Sequence, residues 1–272
     1  MLERVEDFTR IPVPASRRFV VDAAAVALRR PIIHGLFEAD VTEARVALRT
    51  AADGAPLSLT AYVVWCLGRT LVRHPRMHGY LHRGDLVVFD RVDATVIVET
   101  DEGGFSFPRA HVLRDIGGRG LLDIHREIRS LQATTHSDTA QRVRSIRGLL
   151  LLPAVVRRLI YRTYLRDPGR RRRMMGTVAV TSIGMNAERG FWGIALPQHT
   201  LQLVVGGIAA KPRFVDGHVV ERELLSMTLA VDHDVVDGAP AVRFADDLIT
   251  TLEDLERLRR HLDSDAGEVT RP

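Results

Sequence analysis

His233 and Asp237 lie in the run HDVVDG, between a strand-like segment and an amphipathic helical pattern. A histidine at a strand end is well placed to act as a general base, because imidazole exchanges a proton near neutrality. The carboxylate four residues later, followed by Gly238, is expected to turn the chain and fix local geometry. The spacing alone also suits a hydrogen-bonded structural histidine, so the positioning elements must decide between the two.

Those elements can be read from periodicity. Upstream, strands are expected at about 177–183, 201–210 and 224–232, with Asp216-Gly217 as a hairpin signal. Downstream, Ala241, Phe244, Leu248, Leu252, Leu255, Leu258 and Leu262 give one apolar face to a helix over about 239–262, with Pro240 in its first turn. Earlier in the chain, a strand is expected at 32–41 and a helix at 58–74 capped by Ser58. Strands at about 85–90 and 92–100 and a helix at 119–133 follow. The first thirty or so residues read as an arm with some local structure, in which the Pro12–Pro14 pair breaks helix.

The chain has 272 residues, 46% of them hydrophobic, enough for one large core or two small ones. Its formal charge of +4 rests almost wholly on arginine, since Lys211 is the only lysine. Cys66 is the only cysteine and sits in an apolar helical pattern. That excludes an intramolecular disulfide and a cysteine-rich metal site, and it suits a buried small side chain. The N-terminus MLERVEDFTR carries no apolar signal core, and no stretch reaches the length of a membrane span, so the cytoplasm is the expected location.

Segment 137–175 differs from its surroundings. After Pro153, Val156, Leu159, Ile160 and Tyr164 share one helical face, while Arg158, Arg162 and Arg166 share another. Three readings stay open: a helix packed on its own domain with a solvated arginine face, a docking surface for an acidic partner or phosphorylated cofactor, and membrane-surface contact through 149–166. Nucleic-acid binding is not expected, because no stacking platform accompanies the arginines.

Three segments together carry a family resemblance: PLSLTAYVVWCLGRTLVRHPRMHGYL at 56–81, TVAVTSIGMN at 177–186, and the run from LQLVVGGIAA through HDVVDG to LEDL at 201–255. In this order they resemble the catalytic domain of the 2-oxoacid dehydrogenase acyltransferases, the dihydrolipoyl transacylases. The resemblance implies a chloramphenicol acetyltransferase-like α/β fold, two layers with a mixed sheet, in a homotrimer or larger assembly of trimers. It implies a catalytic domain over residues 30–262, with an arm at 1–29, a basic insertion at 137–175 and a tail at 263–272. It also implies an active site at the subunit interface, with coenzyme A or acetyl-CoA as substrate and no bound metal.

By position, His233 would be the general base, Asp237 a support for the turn, and Thr181 the oxyanion donor from a neighbouring subunit. Ser182 and Gly238 would flank the substrate. The chain departs from the family pattern at Asp234, where arginine is common, at Thr181-Ser182, where Ser-Asn is common, and at GFSFPRA (104–110), where GLVVPV is usual. The roughly thirty residues before the catalytic region are too few for a lipoyl or subunit-binding domain, so no covalent lipoyl group is expected on this chain.

The leading expectation is a stand-alone acyltransferase acting on a hydroxyl, amine or thiol. Its acceptor would be a small molecule or a carrier-protein-bound group, such as a tetronate natural-product intermediate. Two others stand beside it: the core of a 2-oxoacid dehydrogenase complex served by a lipoyl domain on a separate chain, and a non-catalytic trimeric scaffold. Among the arginines, Arg157, Arg158 and Arg170 to Arg173 are candidates for coenzyme A phosphates.

Overall fold

A computed structural model describes residues 3–5, 8–11, 17–28, 30–50, 56–102, 105–133, 148, 151–184, 190–194, 196 and 198–269. The Pro12–Pro14 break and positions 137–147 and 149–150 of the basic segment lie outside the described residues. A six-stranded sheet carries the structure. Its strands are β3 (Ile32–Asp40), β6 (Ala94–Glu102), β7 (Phe105–Leu113), β8 (Val178–Ser182), β9 (Leu201–Val215) and β10 (His218–Asp232), in the order β3-β10-β9-β8-β6-β7. β8 runs parallel to both neighbours while the other pairs are antiparallel, so the sheet is mixed as expected. Short pairs β1 (Glu3–Val5) with β2 (Phe8–Arg10), and β4 (Tyr80–His82) with β5 (Asp85–Val87), stand apart from it.

Alternation along the strands assigns the two faces. Val178, Val180, Leu201, Leu203, Leu229 and Val231 turn into the core. Helices α3 (Leu59–Arg73), α4 (Leu121–Ala133) and α7 (Gly238–Glu253) contribute Tyr62, Ile124 and Phe244 to the same core. Ser58 accepts from Ala61 N at 3.4 Å, capping α3 as its sequence indicates. Cys66 is fully buried there, and burial pushes its thiol pKa well up, which makes it an inert core side chain. Gly68 lets α3 approach the chain closely, since a Cβ would sit 2.4 Å from Ile116 O.

Two expectations need correction. The closing helix is two helices, α7 and α8 (Leu255–Val269), because the chain leaves helical geometry at Asp254. Asp254 then caps α8 by accepting from Arg257 N at 2.9 Å. The apolar periodicity runs straight through the break, so pattern alone reads one helix. β7 was not expected either. Pro108 sits in it opposite Glu99, and it is tolerated because β7 is the sheet's edge strand.

Three further helices precede or belong to the basic region: α1 (Arg17–Ala27), α5 (Ala154–Tyr164) and α6 (Pro168–Met175). A remaining helix, α2 (Thr42–Thr50), follows β3. Arg162 of α5 and Arg166 just after it stay exposed, but α5 packs on α1 through arginines rather than through its apolar face. Arg157 and Arg158 pair with the buried Asp22 of α1 at 2.7 and 2.9 Å, while Leu159 and Tyr164 face solvent. No helix among the described residues is long and apolar enough to cross a membrane.

Candidate active site

β10 delivers His233 to the rim of the sheet, where the strand ends at Asp232. The backbone there is over-determined. Asp232 N donates to Thr200 O at 2.8 Å, and His233 N donates to Pro31 O at 2.8 Å. Val235 N and Val236 N both donate to Asp232 O, at 3.1 and 3.0 Å. The Asp232 side chain closes the turn: Oδ1 accepts from Asp234 N at 3.1 Å and Oδ2 from Arg30 Nη1 at 3.1 Å. This carboxylate is only 7% exposed, and burial raises its pKa against the opposing pull of Arg30.

The imidazole itself is left open. His233 is 44% exposed, and its nearest charged neighbour is Asp237 Oδ1, 3.8 Å from Nδ1. That distance allows a Coulomb attraction but no hydrogen bond. Asp237 is 83% exposed and occupies the N-cap position of α7 without a side-chain capping bond. Gly238 begins that helix, and a Cβ there would meet nothing within 4 Å. The turn expected from Asp237-Gly238 is therefore built by Asp232. An Asp directly before the histidine was the available signal, but an acidic residue ending an apolar strand reads equally as surface.

Thr181 and Ser182 end β8 and point to opposite faces. Ser182 Oγ accepts from Thr60 Oγ1 of α3 at 3.4 Å, on the helix side. Thr181 Oγ1 accepts from Gln202 Nε2 at 3.4 Å, on the other side. Register then measures its separation from His233. Thr181 pairs with Val204, and Val204 pairs with Thr228, two strands away from β8 and five residues before His233. With about 3.4 Å per residue and about 4.8 Å per strand, the two lie roughly 15–20 Å apart in one chain. A single copy does not bring them together.

Most of the arginines expected to meet coenzyme A have partners inside the chain. Arg157 and Arg158 hold Asp22, and Arg172 Nε is 2.9 Å from Asp93 Oδ2. Arg170 lies over the Tyr164 ring at 5.5 Å, and Arg171 is buried. No cluster of His, Cys, Asp and Glu among the described residues could hold a metal ion. The histidine, its braced turn and a strand-end hydroxyl are thus the parts with chemical reach.

Residues 170–259 match the family model of the 2-oxoacid dehydrogenases acyltransferase catalytic domain, a span that holds β8, β9, β10, the His233 turn and α7. Over that span the chain is similar to the catalytic domain of these acyltransferases. Among curated proteins it is 23% identical over 205 residues to the Escherichia coli dihydrolipoyllysine-residue succinyltransferase component of the 2-oxoglutarate dehydrogenase complex. That match covers 75% of this chain and 43% of the relative, so the chain spans well under half of its relative's length. A solved probable dihydrolipoamide acetyltransferase from Listeria monocytogenes superposes with a TM-score of 0.68 at 18% identity, covering 92% of this chain and 97% of that one. The cubic core of the pyruvate dehydrogenase multienzyme complex gives 0.67 at 20% identity, covering 96% and 98%. The similarity in fold thus extends over nearly the whole chain, although the family model covers only about a third of it.

Proposed function

We propose that the chain is a coenzyme A-dependent acyltransferase that moves an acetyl or short acyl group from a thioester to a hydroxyl, amine or thiol. The observation that carries this reading is the His233 turn. Its backbone is held at three carbonyls and one carboxylate, while the ring stays free to meet substrate. A base fixed at its backbone and open at its ring needs little reorganisation to reach a bound nucleophile.

In the proposed reaction, His233 Nε2 takes the proton of the acceptor X–H as X attacks the thioester carbonyl carbon. The carbonyl π electrons move to oxygen, giving a tetrahedral oxyanion that the Thr181 hydroxyl stabilises. The oxyanion collapses, the C–S bond breaks, and the imidazolium returns its proton to the coenzyme A thiolate. Asp237 Oδ1 stands 3.8 Å from Nδ1, too far to hydrogen-bond the ring, and leaves Nε2 free for this work. Because Thr181 lies so far from His233 in one copy, the reading pairs His233 of one subunit with Thr181 of the next. A homotrimer, or an assembly of trimers such as the cubic core named for the pyruvate dehydrogenase complex, supplies that arrangement. The acceptor assigned is a small molecule or a carrier-bound group of the natural-product kind, a tetronate being one example.

The test is to incubate the purified protein with acetyl-CoA and a panel of acceptors, following free thiol release. His233→Ala is expected to remove turnover, and Thr181→Ala to lower it by about a hundredfold through loss of one oxyanion donor. Turnover that survives His233→Ala would overturn the reading. The names of the relatives favour a second reading, in which a lipoyl domain on another chain donates the acyl group to coenzyme A. Acyl exchange with an added lipoylated domain, and none with small acceptors, would establish that alternative.

A further inference from the structure

A cavity of about 500 Å³ lies between α1, β4, α5 and α6. Its apolar wall includes Val26, Leu165 and Met175, together with the Tyr80 and Tyr161 side chains. Five arginines complete it, namely Arg30, Arg83, Arg162, Arg166 and Arg171, and no carboxylate lines it among the described residues. Elsewhere in this region the protein neutralises its arginines: Asp22 holds Arg157 and Arg158, and Asp93 holds Arg114 and Arg172. Inside the cavity, among the described residues, only Arg30 has such a partner, Asp232.

Arg171 is the decisive residue. It is 6% exposed, yet no carboxylate among the described residues pairs with it. Its guanidinium donates to Gln198 O at 2.6 Å and lies 5.0 Å from the Tyr80 ring centroid. Burial, and then the charge of Arg30, push its pKa down to about 10, so it still carries its charge at neutral pH. A buried cation without a paired anion is a standing cost to the fold, and an arriving oxyanion removes it. Arg162 and Arg166 project from the rim on α5 and just after it, four residues apart, and can close on the same anion.

The position of the cavity gives the ligand a role. Arg30 lines it and bonds Asp232, and the next residue, Pro31, accepts from the backbone of His233. The cavity therefore lies behind the braced histidine turn. α1, β4 and α5 all fall outside residues 170–259, so most of its wall is not part of the segment matched to the family model.

We propose that this cavity binds the anionic end of the acyl acceptor, a carboxylate or phosphate borne on an apolar body, with Arg171, Arg162 and Arg166 as its donors. The word acceptor rests on the acyl-transfer reading, whereas the anion site does not. The phosphates of coenzyme A share this chemistry, and the experiment separates them.

Calorimetry of the full chain with octanoate, octyl phosphate and neutral octanamide tests the site. Both anions are expected to bind at least tenfold more tightly than the amide, and to weaken as salt rises. The double variant Arg162→Gln/Arg166→Gln is expected to lose at least tenfold in octanoate affinity with unchanged melting temperature and unchanged coenzyme A affinity. These rim residues carry the test, since Arg171→Gln alters a buried position. Equal binding of octanoate and octanamide overturns the proposal, as does octanoate binding unaffected by the double variant. Displacement of octanoate by adenosine 3′,5′-bisphosphate also overturns it, by giving the cavity to coenzyme A. Anion binding without any acyl transfer would sink the proposed function and leave the anion site standing. Acyl transfer without anion binding would do the reverse.

Discussion

At the scale of single residues, the site divides labour between two aspartates that look alike in sequence. Asp232 is buried and makes the bonds, while Asp237 is exposed and makes none with its side chain beyond a distant attraction to His233. Substitution should separate them. Asp232→Ala removes both the bond to Asp234 N and the Arg30 pair, and it is expected to cost about 2–4 kcal/mol in urea unfolding. Asp232→Asn keeps an acceptor for Asp234 N but loses the ion pair, so a smaller loss of about 1–2 kcal/mol is expected. Asp237→Ala is expected to stay within about 0.5 kcal/mol, as for surface positions generally. Equal destabilisation by Asp232→Ala and Asp237→Ala would refute this division. Sequence reasoning placed His233 correctly at a strand end, because the alternation of LLSMTLAVD is unambiguous. It could not choose between the flanking carboxylates, since burial depends on where Arg30 and Thr200 fold back.

At the scale of elements, the exit from β8 depends on glycine contacts that leave no room for a side chain. A Cβ on Gly184 would sit 1.7 Å from Gly206 O, and one on Gly206 would sit 2.1 Å from Phe191 O. Both obstacles are backbone and cannot swing aside. Gly184→Ala is therefore expected to lower stability by about 1–3 kcal/mol or more, by forcing the segment after Thr181-Ser182 away from β9. Gly35→Ala makes the control, since its Cβ would meet nothing within 4 Å. A thermal melt showing Gly184→Ala no worse than Gly35→Ala would remove this argument. Such contacts join positions far apart in the chain, so no local pattern announces them. Local chemistry was legible where it acts locally. Ser58 caps α3, and Asp216 and Gly217 take the left-handed φ values of 49° and 79° that a tight hairpin asks for. The ion pairs that seat α5 on α1 were not legible, because only the fold brings Asp22 to Arg157 and Arg158.

At the scale of the whole molecule, two buried histidines set the acid side of stability. Burial pushes the His78 pKa down to about 4, and burial with the nearby Arg171 pushes His199 down to about 3. The unfolded chain protonates such groups near pH 6.5, whereas the folded chain keeps them neutral. Stability that is complete above about pH 6.5 is thus expected to fall as the pH drops towards 4, ahead of most carboxylate titration. Asp93 enters later: burial raises its pKa, but bonds from Asp115 N, Arg172 and Arg114 outweigh this and hold it below the usual carboxylate range. Urea unfolding free energies that stay flat between pH 6.5 and 5 would contradict this order. The sheet register sets a second property of the assembled molecule. Thr181 and His233 lie too far apart to meet within one copy, so the proposed site draws them from two. Two variants, His233→Ala without turnover and Thr181→Ala lowered about a hundredfold, should then rescue one another when co-expressed. A site is intact when its histidine comes from a Thr181→Ala chain and its threonine from a His233→Ala chain. Random mixing of equal amounts gives such a pair at about one site in four, so about a quarter of wild-type activity is expected. Co-expressed chains that form mixed assemblies, as checked by two affinity tags, but show no rescue would place both residues in one subunit and contradict the register.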